Sequence, residues 1–412
     1  MQILYFADIR FPLERANGIQ TVETCHALGR RGHAVTLVVR PDTTRPARDP
    51  FAFYALPPIP ALRIIRVPVA GPPVARRLRY LAQALGRSMM ARPDLVLTRD
   101  LGVASLLLGW PAGARSPVVY ESHGFAPLVG VALPTLLSGT QPASPRKARR
   151  LGAREERVWR RADGYVTITR SLADEMVDRF GSRGCRAVIP DGVRLDSGRR
   201  FVALPAGSPP LVAYAGNLYP WKGADVLLEA LAALPSVTGL IVGGHPREAD
   251  LDVHRRRAAE LGLASRVRFA GAVPPREVAS YLGRADVLVL PNTRTHVSSR
   301  YTSPLKLFEY LAAGKPIVAS DLPAIREVLE DDRNAVLVEA GRADALASGI
   351  ARVLGDPALA GRLARQAFLD AEEYSWDRRA ERYDLLFAAM RPAAAGPRAM
   401  TPTGQAGTTA QP

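Results

Sequence analysis

The sequence predicts an α/β fold with two doubly wound domains, each built on a parallel β-sheet covered by helices on both faces. Short continuous apolar runs alternate with amphipathic helical patterns from one end of the chain to the other. The alternation starts again after a segment near the middle that is rich in Gly, Pro and Ser. With 412 residues and 47% hydrophobic content, the chain is long enough for two hydrophobic cores.

In the first half, strands are predicted at "ILYFA", "AVTLVV", "DLVLT", "PVVYE" and "YVTIT", with a helix over about 19–31 after the first strand. These runs do not alternate between apolar and polar residues, which is typical of strands buried on both faces. The segment 51–73 is rich in proline, so we expect it to be extended and irregular.

The second half repeats the pattern, with strands predicted at "LVAYAG", "GLIVGG", "RVRFAG", "DVLVLP", "PIVAS" and "AVLVEA". Helices are predicted over about 224–234 and 247–261 between the early strands. Within "TSPLKLFEYLAAGKPIVAS", Ser303 is the expected N-cap of a short helix, Pro304 its first residue and Gly314 its end.

The predicted domain boundary lies in 194–210, where Gly, Pro and Ser cluster between two strand-like runs. This gives a first domain over 1–195 and a second over 208–375. The end of the chain, 391–412, has low complexity and no periodicity, so it is expected to be a disordered tail.

The charge of +16 is unevenly distributed. Residues 1–200 hold 31 basic and 16 acidic side chains, whereas the remainder holds 24 and 23. The excess of basic residues is concentrated in 75–80 and 146–161. These segments could bind anionic lipid, an acidic acceptor or nucleic acid. The alternative is a solvated surface in an arginine-rich protein. Few aromatic residues lie among these basic residues, which argues against nucleic acid.

Cysteine usage and hydropathy indicate the compartment. Cys25 and Cys185 lack the spacing of a metal or redox site, so a reducing compartment, the cytoplasm, is expected. No apolar run is long enough to span a membrane, and "MQILYFADIR" leads directly into a strand pattern rather than a signal peptide.

Two polar positions follow strands of the first domain, where ligands of parallel α/β sheets bind. Gly18 opens a helix after the first strand and would admit a phosphate or sugar close to the backbone. At the end of "PVVYE", where "SHG" follows, Glu121 and His123 are expected just past the strand, and a histidine there can hydrogen-bond a substrate hydroxyl. Both positions also have ordinary structural interpretations, as a loop glycine and an exposed histidine.

The second domain offers a more specific pattern. After "LVAYAG" a short loop carries Asn217 and Lys222, and an ammonium at a helix start suits a diphosphate. In the 302–320 segment, Lys306 and Glu309 are neighbours on a helix whose N-terminus can accept phosphate oxygens, while Glu309 can bind ribose hydroxyls. A plain surface ion pair is the alternative interpretation of Lys306 and Glu309.

At these residues the sequence resembles glycosyltransferase family 4, the group 1 glycosyltransferases. The resemblance covers about 1–390 and is most specific in "GNLYPWKGADVLLEAL", "RVRFAGAVPPREVASYLGRADVLVLP" and "SPLKLFEYLAAGKPIVASDLPAIREVL". It implies two Rossmann-like domains facing a cleft (GT-B type), with the acceptor on the first domain and a nucleotide-sugar donor on the second. It also implies a last helix, 376–390, that crosses back to the first domain.

The resemblance implies a role for individual residues. Lys222 matches a phosphate-binding lysine, Glu309 a ribose-binding glutamate and His123 a histidine near the donor sugar. The expected catalytic residues are His123, Lys222 and Glu309. The expected donor-binding residues are Gly18, Gly216, Asn217, Lys222, Ser303, Pro304, Leu305, Lys306 and Glu309.

Two positions depart from the family pattern. Tyr301 stands where many members have a glutamate aimed at the donor sugar, and Asn217 stands where many have an arginine on the phosphates. Arg300 and Lys306 are the candidates to replace that arginine. Sugar recognition therefore stays open at this stage.

The resulting expectation is a retaining, metal-independent hexosyltransferase that uses a nucleotide diphosphate sugar as co-substrate and no cofactor. Its acceptor would be a glycan, a lipid-linked molecule or a small molecule, and an anionic membrane surface is a further candidate partner. A nucleotide-sugar epimerase or phosphorylase of the same fold is one alternative. A non-catalytic basic protein that binds nucleic acid is the other.

Overall fold

A computed structural model describes residues 1–138, 144–202, 208–244 and 250–390. The predicted tail, part of the 194–210 boundary segment and the beginning of the helix predicted at 247 lie outside these residues.

The first domain is built on a seven-stranded sheet in the order β3-β2-β1-β4-β5-β6-β7, and all neighbouring strands are parallel. The strands are β1 (Gln2–Arg10), β2 (Ala34–Arg40), β3 (Leu62–Arg66), β4 (Leu95–Thr98), β5 (Val118–Ser122), β6 (Gly164–Thr167) and β7 (Arg186–Val188). The helices are α1 (Ala16–Arg30), α2 (Pro50–Tyr54), α3 (Pro73–Ala91), α4 (Leu101–Leu107), α5 (Ala126–Ser138), α6 (Pro145–Arg161) and α7 (Arg170–Phe180).

The second domain is built on a six-stranded parallel sheet in the order β10-β9-β8-β11-β12-β13. The strands are β8 (Leu211–Ala215), β9 (Thr238–Val242), β10 (Val267–Gly271), β11 (Val287–Leu290), β12 (Ile317–Ser320) and β13 (Val336–Val338). The helices are α8 (Ala224–Ala232), α9 (Asp250–Glu260), α10 (Pro275–Gly283), α11 (His296–Arg300), α12 (Leu305–Ala313), α13 (Pro323–Arg326), α14 (Ala343–Gly355) and α15 (Pro357–Asp370).

These two sheets confirm the predicted α/β fold with two doubly wound, Rossmann-like domains. The prediction that the segment 51–73 is extended and irregular is wrong in part, because the segment contains part of α2 and the edge strand β3. Its prolines lie outside β3, so that strand keeps the N–H groups with which it pairs with β2. The predicted position of Glu121 beyond the strand is also wrong, since Glu121 lies within β5.

Each sheet has a hydrophobic core on both faces. Neighbouring residues of β1, Tyr5 and Phe6, belong to separate buried clusters, and so do Ala213 and Tyr214 of β8. Successive side chains of a strand point to opposite faces, so a strand with helices on both sides is apolar throughout. This is the physical basis of the continuous apolar runs.

The last helix, α16 (Trp376–Ala389), packs against α1 of the first domain. Arg30 and Asp377 form an ion pair of 2.5 Å between the two helices, and His33 lies 2.6 Å from Asp384. The end of the second domain is thereby fixed to the first. Within the described residues, no helix combines the length and apolar character needed to cross a bilayer.

Candidate active site

The candidate donor site begins at the carboxyl end of β8. Gly216 follows this strand with φ of +137°, and a Cβ there would lie 3.3 Å from Cδ of Lys306. Gly243 follows the neighbouring strand, and a Cβ at this residue would lie 2.0 Å from the Gly216 oxygen. These glycines let two backbones and the Lys306 side chain converge in a small volume.

Lys306 is a buried cation, with 6% of its surface exposed. Its Nζ lies 3.7 Å from the centroid of the Tyr214 ring and makes no hydrogen bond to any described residue. Burial and the charge of Lys222 lower the pKa of Lys306 well below its usual value, against an opposing effect of Glu309. An unpaired buried ammonium is costly, so this site favours an anion.

Lys222 supplies the second positive charge. It ends the short 3-10 helix Pro220–Lys222, and Gly223 then connects this turn to α8 with φ of +76°. A Cβ at Gly223 would lie 1.7 Å from the carbonyl oxygen of Pro291, so only glycine fits. Burial lowers the pKa of Lys222 to about 8.

Glu309 lies one turn beyond Lys306 on α12. Burial raises its pKa to about 7, while the charge of Lys306 acts in the opposite direction. Lys306 is buried and forms no ion pair within 4 Å with Glu309 in the described part of the chain. The interpretation of the two residues as a surface ion pair is therefore wrong.

The start of α12 differs from the prediction. Pro304 is the N-cap with an extended backbone, and the helix begins at Leu305 instead of Pro304. Ser303 is not the cap, because its Oγ accepts a hydrogen bond of 3.0 Å from the N–H of Asp191 in the first domain. No side chain caps this helix. Gly314, with φ of +60°, ends it as predicted.

The two candidates to replace the missing arginine lie in different places. Asn217 follows Gly216, and its carbonyl oxygen accepts a hydrogen bond of 2.5 Å from the Tyr214 hydroxyl. Lys306 lies beside Gly216, where a Cβ would be 3.6 Å from its Nζ. Arg300 is directed elsewhere, with its guanidinium 3.9 Å from Glu175 of α7.

Tyr301, which stands at the usual glutamate position, joins the two domains. Its hydroxyl donates to Glu175 across 2.9 Å, and His296 lies 3.1 Å from the same carboxylate. A Cβ on Gly124 would lie 2.8 Å from the Tyr301 ring, so the ring packs directly against the residue after His123. Tyr301 therefore contacts the first domain through Glu175 and Gly124.

His123 follows β5 and faces a buried carboxylate. Its Nε2 lies 2.5 Å from Oε1 of Glu121, which is completely buried. Burial acts to raise the pKa of Glu121, but the charge of Arg379 and the hydrogen bond from His123 lower it well below its usual range. An ionised carboxylate only accepts, so Nε2 carries the proton and Nδ1 is the acceptor nitrogen of the neutral ring.

The last helix contributes to this histidine site. Arg379 Nη2 lies 2.8 Å from Oε1 of Glu121, and the hydroxyl of Tyr383 donates to Oε2. Gln20 on α1 donates to Oε1 across 2.6 Å. Glu121 is thus held by two helices, α1 and α16, which fixes the orientation of His123.

Gly18 lies in the first turn of α1. A Cβ there would lie 2.4 Å from the Leu13 oxygen and 2.5 Å from the Tyr54 hydroxyl, so packing within the first domain explains the glycine. The described contacts do not connect Gly18 with Lys222, Lys306 or Glu309. Its expected role at the donor phosphates stays a prediction.

A cavity of about 610 Å³ lies between the domains at the start of α12. Thr169, Pro190, Ser303, Pro304 and Glu327 contribute to its walls. Ser303 and Pro304, two of the expected donor-binding residues, thus line this cavity, whereas Lys222, Lys306 and Glu309 do not.

Three residues of the site had not been singled out as site residues from the sequence. Tyr214 precedes Gly216 by two residues, and Asp191 follows β7, so the strand-end rule points to Asp191. Arg379 carries no local signal, because its partner Glu121 lies more than 250 residues away in the chain.

Comparison with known proteins identifies the class. Residues 18–197 match the family model described as Glycosyltransferase Family 4, and residues 209–356 match the model described as Glycosyl transferases group 1. Together the two matches span most of both domains. The protein is a glycosyltransferase of the GT-B fold. It belongs to family 4, the group 1 glycosyltransferases.

Two curated relatives carry the name D-inositol 3-phosphate glycosyltransferase. The protein from Xylanimonas cellulosilytica is 29% identical over 87% of this chain and 88% of its own length. The protein from Streptomyces avermitilis is 31% identical over 69% of this chain and 63% of its own length.

Solved structures show the same fold. Sucrose-phosphate synthase from Thermosynechococcus elongatus has a TM-score of 0.73 with 23% identity, over 94% of this chain and all of that chain. Anabaena Alr3699/HepE in complex with UDP-glucose has a TM-score of 0.68 with 18% identity, again over 94% and 100% of the two chains.

Proposed function

We propose that the protein transfers a hexosyl group from a nucleotide diphosphate sugar to an acceptor hydroxyl, with retention of the anomeric configuration and without a bound metal ion. The observation that carries this proposal is the pair of lysines, Lys222 and Lys306, whose pKa values are lowered by burial. Two such ammonium groups beside an uncapped helix start form a binding site for a diphosphate.

The lysines would contribute most of the phosphate affinity. A hydrogen bond to a charged group contributes roughly 1.5–3 kcal/mol, whereas an exposed helix terminus contributes roughly 0.3–1 kcal/mol. Binding of a diphosphate would also favour the charged form of both lysines. Glu309, one turn along α12, would accept hydrogen bonds from the ribose hydroxyls.

The same groups would stabilise the leaving group. As the bond between the anomeric carbon and the diphosphate oxygen breaks, negative charge grows on that oxygen, where Lys222, Lys306 and the helix amides are already oriented. The acceptor oxygen then bonds to the anomeric carbon, and a phosphate oxygen takes the acceptor proton. This sequence needs no side-chain nucleophile and no metal ion.

His123 would position the transferred sugar. The hydrogen bond to Glu121 makes Nδ1 an acceptor, which suits a sugar hydroxyl. Burial, together with the charge of Arg99, lowers the pKa of His123 despite its bond to Glu121. The neutral imidazole would thus orient the sugar by hydrogen bonding.

The comparisons support a nucleotide-sugar donor without naming it. The HepE structure contains UDP-glucose, which makes UDP-sugars the first candidates. The curated relatives are named for an inositol phosphate acceptor, which favours a small phosphorylated acceptor over a polymer. A glycan or a lipid-linked acceptor is the alternative, with a role in glycan, glycolipid or polysaccharide synthesis.

Peripheral attachment to anionic membrane on the cytoplasmic face is part of this proposal. Helix α3 exposes an apolar stripe that includes Val74, Leu78 and Met89, of which Val74 is 73% exposed. The exposed Arg79 lies beside the stripe, and α6, which packs on α4 next to α3, presents further arginines. An apolar stripe flanked by cations suits the headgroup region of an anionic bilayer.

Vesicle flotation tests this attachment. The protein should float with vesicles that contain phosphatidylglycerol and not with neutral vesicles. A variant with Leu78→Glu and Met89→Glu should lose binding, whereas Val253→Glu in the second domain should not. Equal and negligible binding to both vesicle types would contradict the attachment.

Product analysis tests the reaction. Purified protein is incubated with UDP-, GDP- and ADP-sugars and candidate acceptors, with and without EDTA, and the anomeric configuration is read by NMR. We expect an acceptor-dependent product with retained configuration, formed equally in the presence of EDTA. Sugar conversion without an acceptor would indicate an epimerase, and salt-sensitive nucleic-acid binding without turnover would indicate the non-catalytic alternative.

A further inference from the structure

Asp191 is a buried carboxyl group with one oxygen that has no hydrogen-bond partner among the described residues. It follows β7 and is 7% exposed, and its Oδ1 accepts no hydrogen bond from the described residues. The nearest cation is Arg379, whose Nη1 lies 3.8 Å from Oδ1. That nitrogen already donates to the carbonyl oxygens of Ile189 and Pro190.

Glu121, the other buried carboxylate near Arg379, has several hydrogen-bond partners, in contrast to Oδ1 of Asp191. Glu121 accepts hydrogen bonds from Gln20, His123 and Tyr383 and is paired with Arg379. A buried carboxylate normally has partners of this kind, because leaving it without them costs free energy. The free oxygen of Asp191 therefore lacks a partner that a ligand can provide.

Asp191 lies between the two parts of the proposed site. Burial raises the pKa of Asp191, whereas the neighbouring Arg379, His123 and Arg99 act to lower it. The backbone N–H of Asp191 donates to Oγ of Ser303, the residue before the N-cap of α12. The histidine that would hold the sugar and the helix start that would hold the diphosphate meet at this residue.

The position suits the sugar of the donor. Under the proposed function, on which this inference rests, the sugar lies between His123 and the start of α12, beside Asp191. The carboxylate that many family members supply at position 301 is absent here, and Tyr301 donates its hydroxyl to Glu175 instead. Sugar hydroxyls are donors, and an unpaired carboxylate oxygen is the acceptor that suits them.

We propose that Asp191 is a specificity-determining residue that accepts a hydrogen bond from a hydroxyl of the transferred sugar. Asp191 thereby takes over sugar recognition that the family assigns to the residue at 301. Lys222 and Lys306 bind the diphosphate independently of it. Loss of Asp191 should therefore weaken binding of the sugar and not that of the nucleotide.

Calorimetric titration separates these two contributions. The probes are UDP, GDP and ADP and their glucose, galactose, mannose and N-acetylglucosamine conjugates. The conjugate that wild type binds most tightly is compared with its free nucleotide. Asp191→Ala should raise the Kd of the conjugate about tenfold or more relative to wild type, with the Kd of the free nucleotide unchanged within about twofold. Asp191→Asn, which keeps an acceptor oxygen, should give a smaller loss.

Asp196→Asn is the matched control, because Asp196 is an exposed carboxylate in the same connecting segment. It should leave both Kd values unchanged. If Asp191→Ala and Asp191→Asn bind the conjugate as wild type does, or weaken conjugate and nucleotide equally, the inference is wrong while the proposed function stands. If wild type binds neither nucleotides nor their conjugates, the proposed function itself is wrong.

Discussion

Nζ of Lys306 lies 3.7 Å above the centroid of the Tyr214 ring, which is its closest polar or aromatic partner among the described interactions. A cation over an aromatic face is stabilised by only about 0.5–2 kcal/mol, less than the cost of removing an ammonium from water. The charged form of Lys306 is therefore destabilised in the free protein, at the site proposed for the diphosphate. The following predictions rest on this and related contacts.

Lys306→Met should stabilise the free protein and abolish the increase in melting temperature that nucleotide binding causes. Removing an unpaired buried charge should raise the free energy of unfolding by about 1 kcal/mol at pH 7, since the apolar side chain needs no partner. Thermal unfolding with and without UDP, GDP and ADP measures both effects. A lower melting temperature together with an unchanged nucleotide response would refute the role of Lys306.

Stability and nucleotide affinity should change in opposite directions with pH. The pKa of Lys222 is about 8 in the folded protein and near 10.5 in the unfolded chain, and that of Lys306 is lowered too. Between pH 8 and 10 the unfolded chain binds more protons, so stability from these residues rises with pH. Over the same range the lysines lose their charge, so the affinity for a diphosphate falls.

Denaturant unfolding and titration with the binding nucleotide at pH 7, 8, 9 and 10 measure these two trends. In the double variant Lys222→Ala with Lys306→Met, the contribution of both lysines to the pH dependence should disappear. Parallel changes of stability and affinity in the wild type would contradict the assignment.

Tyr301→Phe should weaken the contact between the domains and leave nucleotide binding intact. Burial acts to raise the pKa of Glu175, but hydrogen bonds from Arg179, Tyr301 and His296 lower it overall. Loss of the Tyr301 hydroxyl should cost about 1 kcal/mol of unfolding free energy and raise the pKa of Glu175.

The measurement is denaturant unfolding combined with the Kd of the nucleotide. Tyr281→Phe on α10, whose hydroxyl makes no hydrogen bond to a described residue, is the control and should change neither value. A large loss of nucleotide affinity in Tyr301→Phe would show that Tyr301 contacts the donor directly.

Arg379→Met should destabilise the protein strongly. It leaves the fully buried Glu121 without its cationic partner, and breaking a buried pair costs about 3–5 kcal/mol. The neighbouring Arg378→Met removes only an exposed pair with Glu381 and should have no measurable effect. Unfolding in denaturant, with limited proteolysis of α16, distinguishes them. Equal stability of the two variants would exclude a structural role for the pair.

Much of the fold was predictable because it depends on local patterns. The apolar runs locate the strands, and Gly314 ends α12 where its backbone requires a left-handed conformation. Strand β3 was missed because the prolines around it obscure a short edge strand. The prediction of Ser303 as the N-cap was wrong. Its hydroxyl instead accepts a hydrogen bond from the N–H of Asp191, which is a contact between the domains.

The candidate site was also predictable only where its residues belong to local motifs. Lys222, Lys306 and Glu309 belong to continuous motifs, so the sequence indicates both their residue types and their approximate positions. The partners of Glu121 come from α1 and α16, and Tyr301 meets Glu175 across the cleft. Such contacts depend on how distant elements pack, which no local pattern records.

The central claim is that Lys222 binds the diphosphate of a nucleotide donor in the cleft. The direct measurement is the Kd of UDP, GDP and ADP for wild type, Lys222→Ala and Arg256→Ala, which removes an exposed charge from the same domain. We predict that wild type binds at least one nucleotide, that Lys222→Ala weakens its binding about tenfold or more, and that Arg256→Ala leaves it unchanged. Wild-type affinity in Lys222→Ala, or no nucleotide binding by the wild type, would contradict the claim.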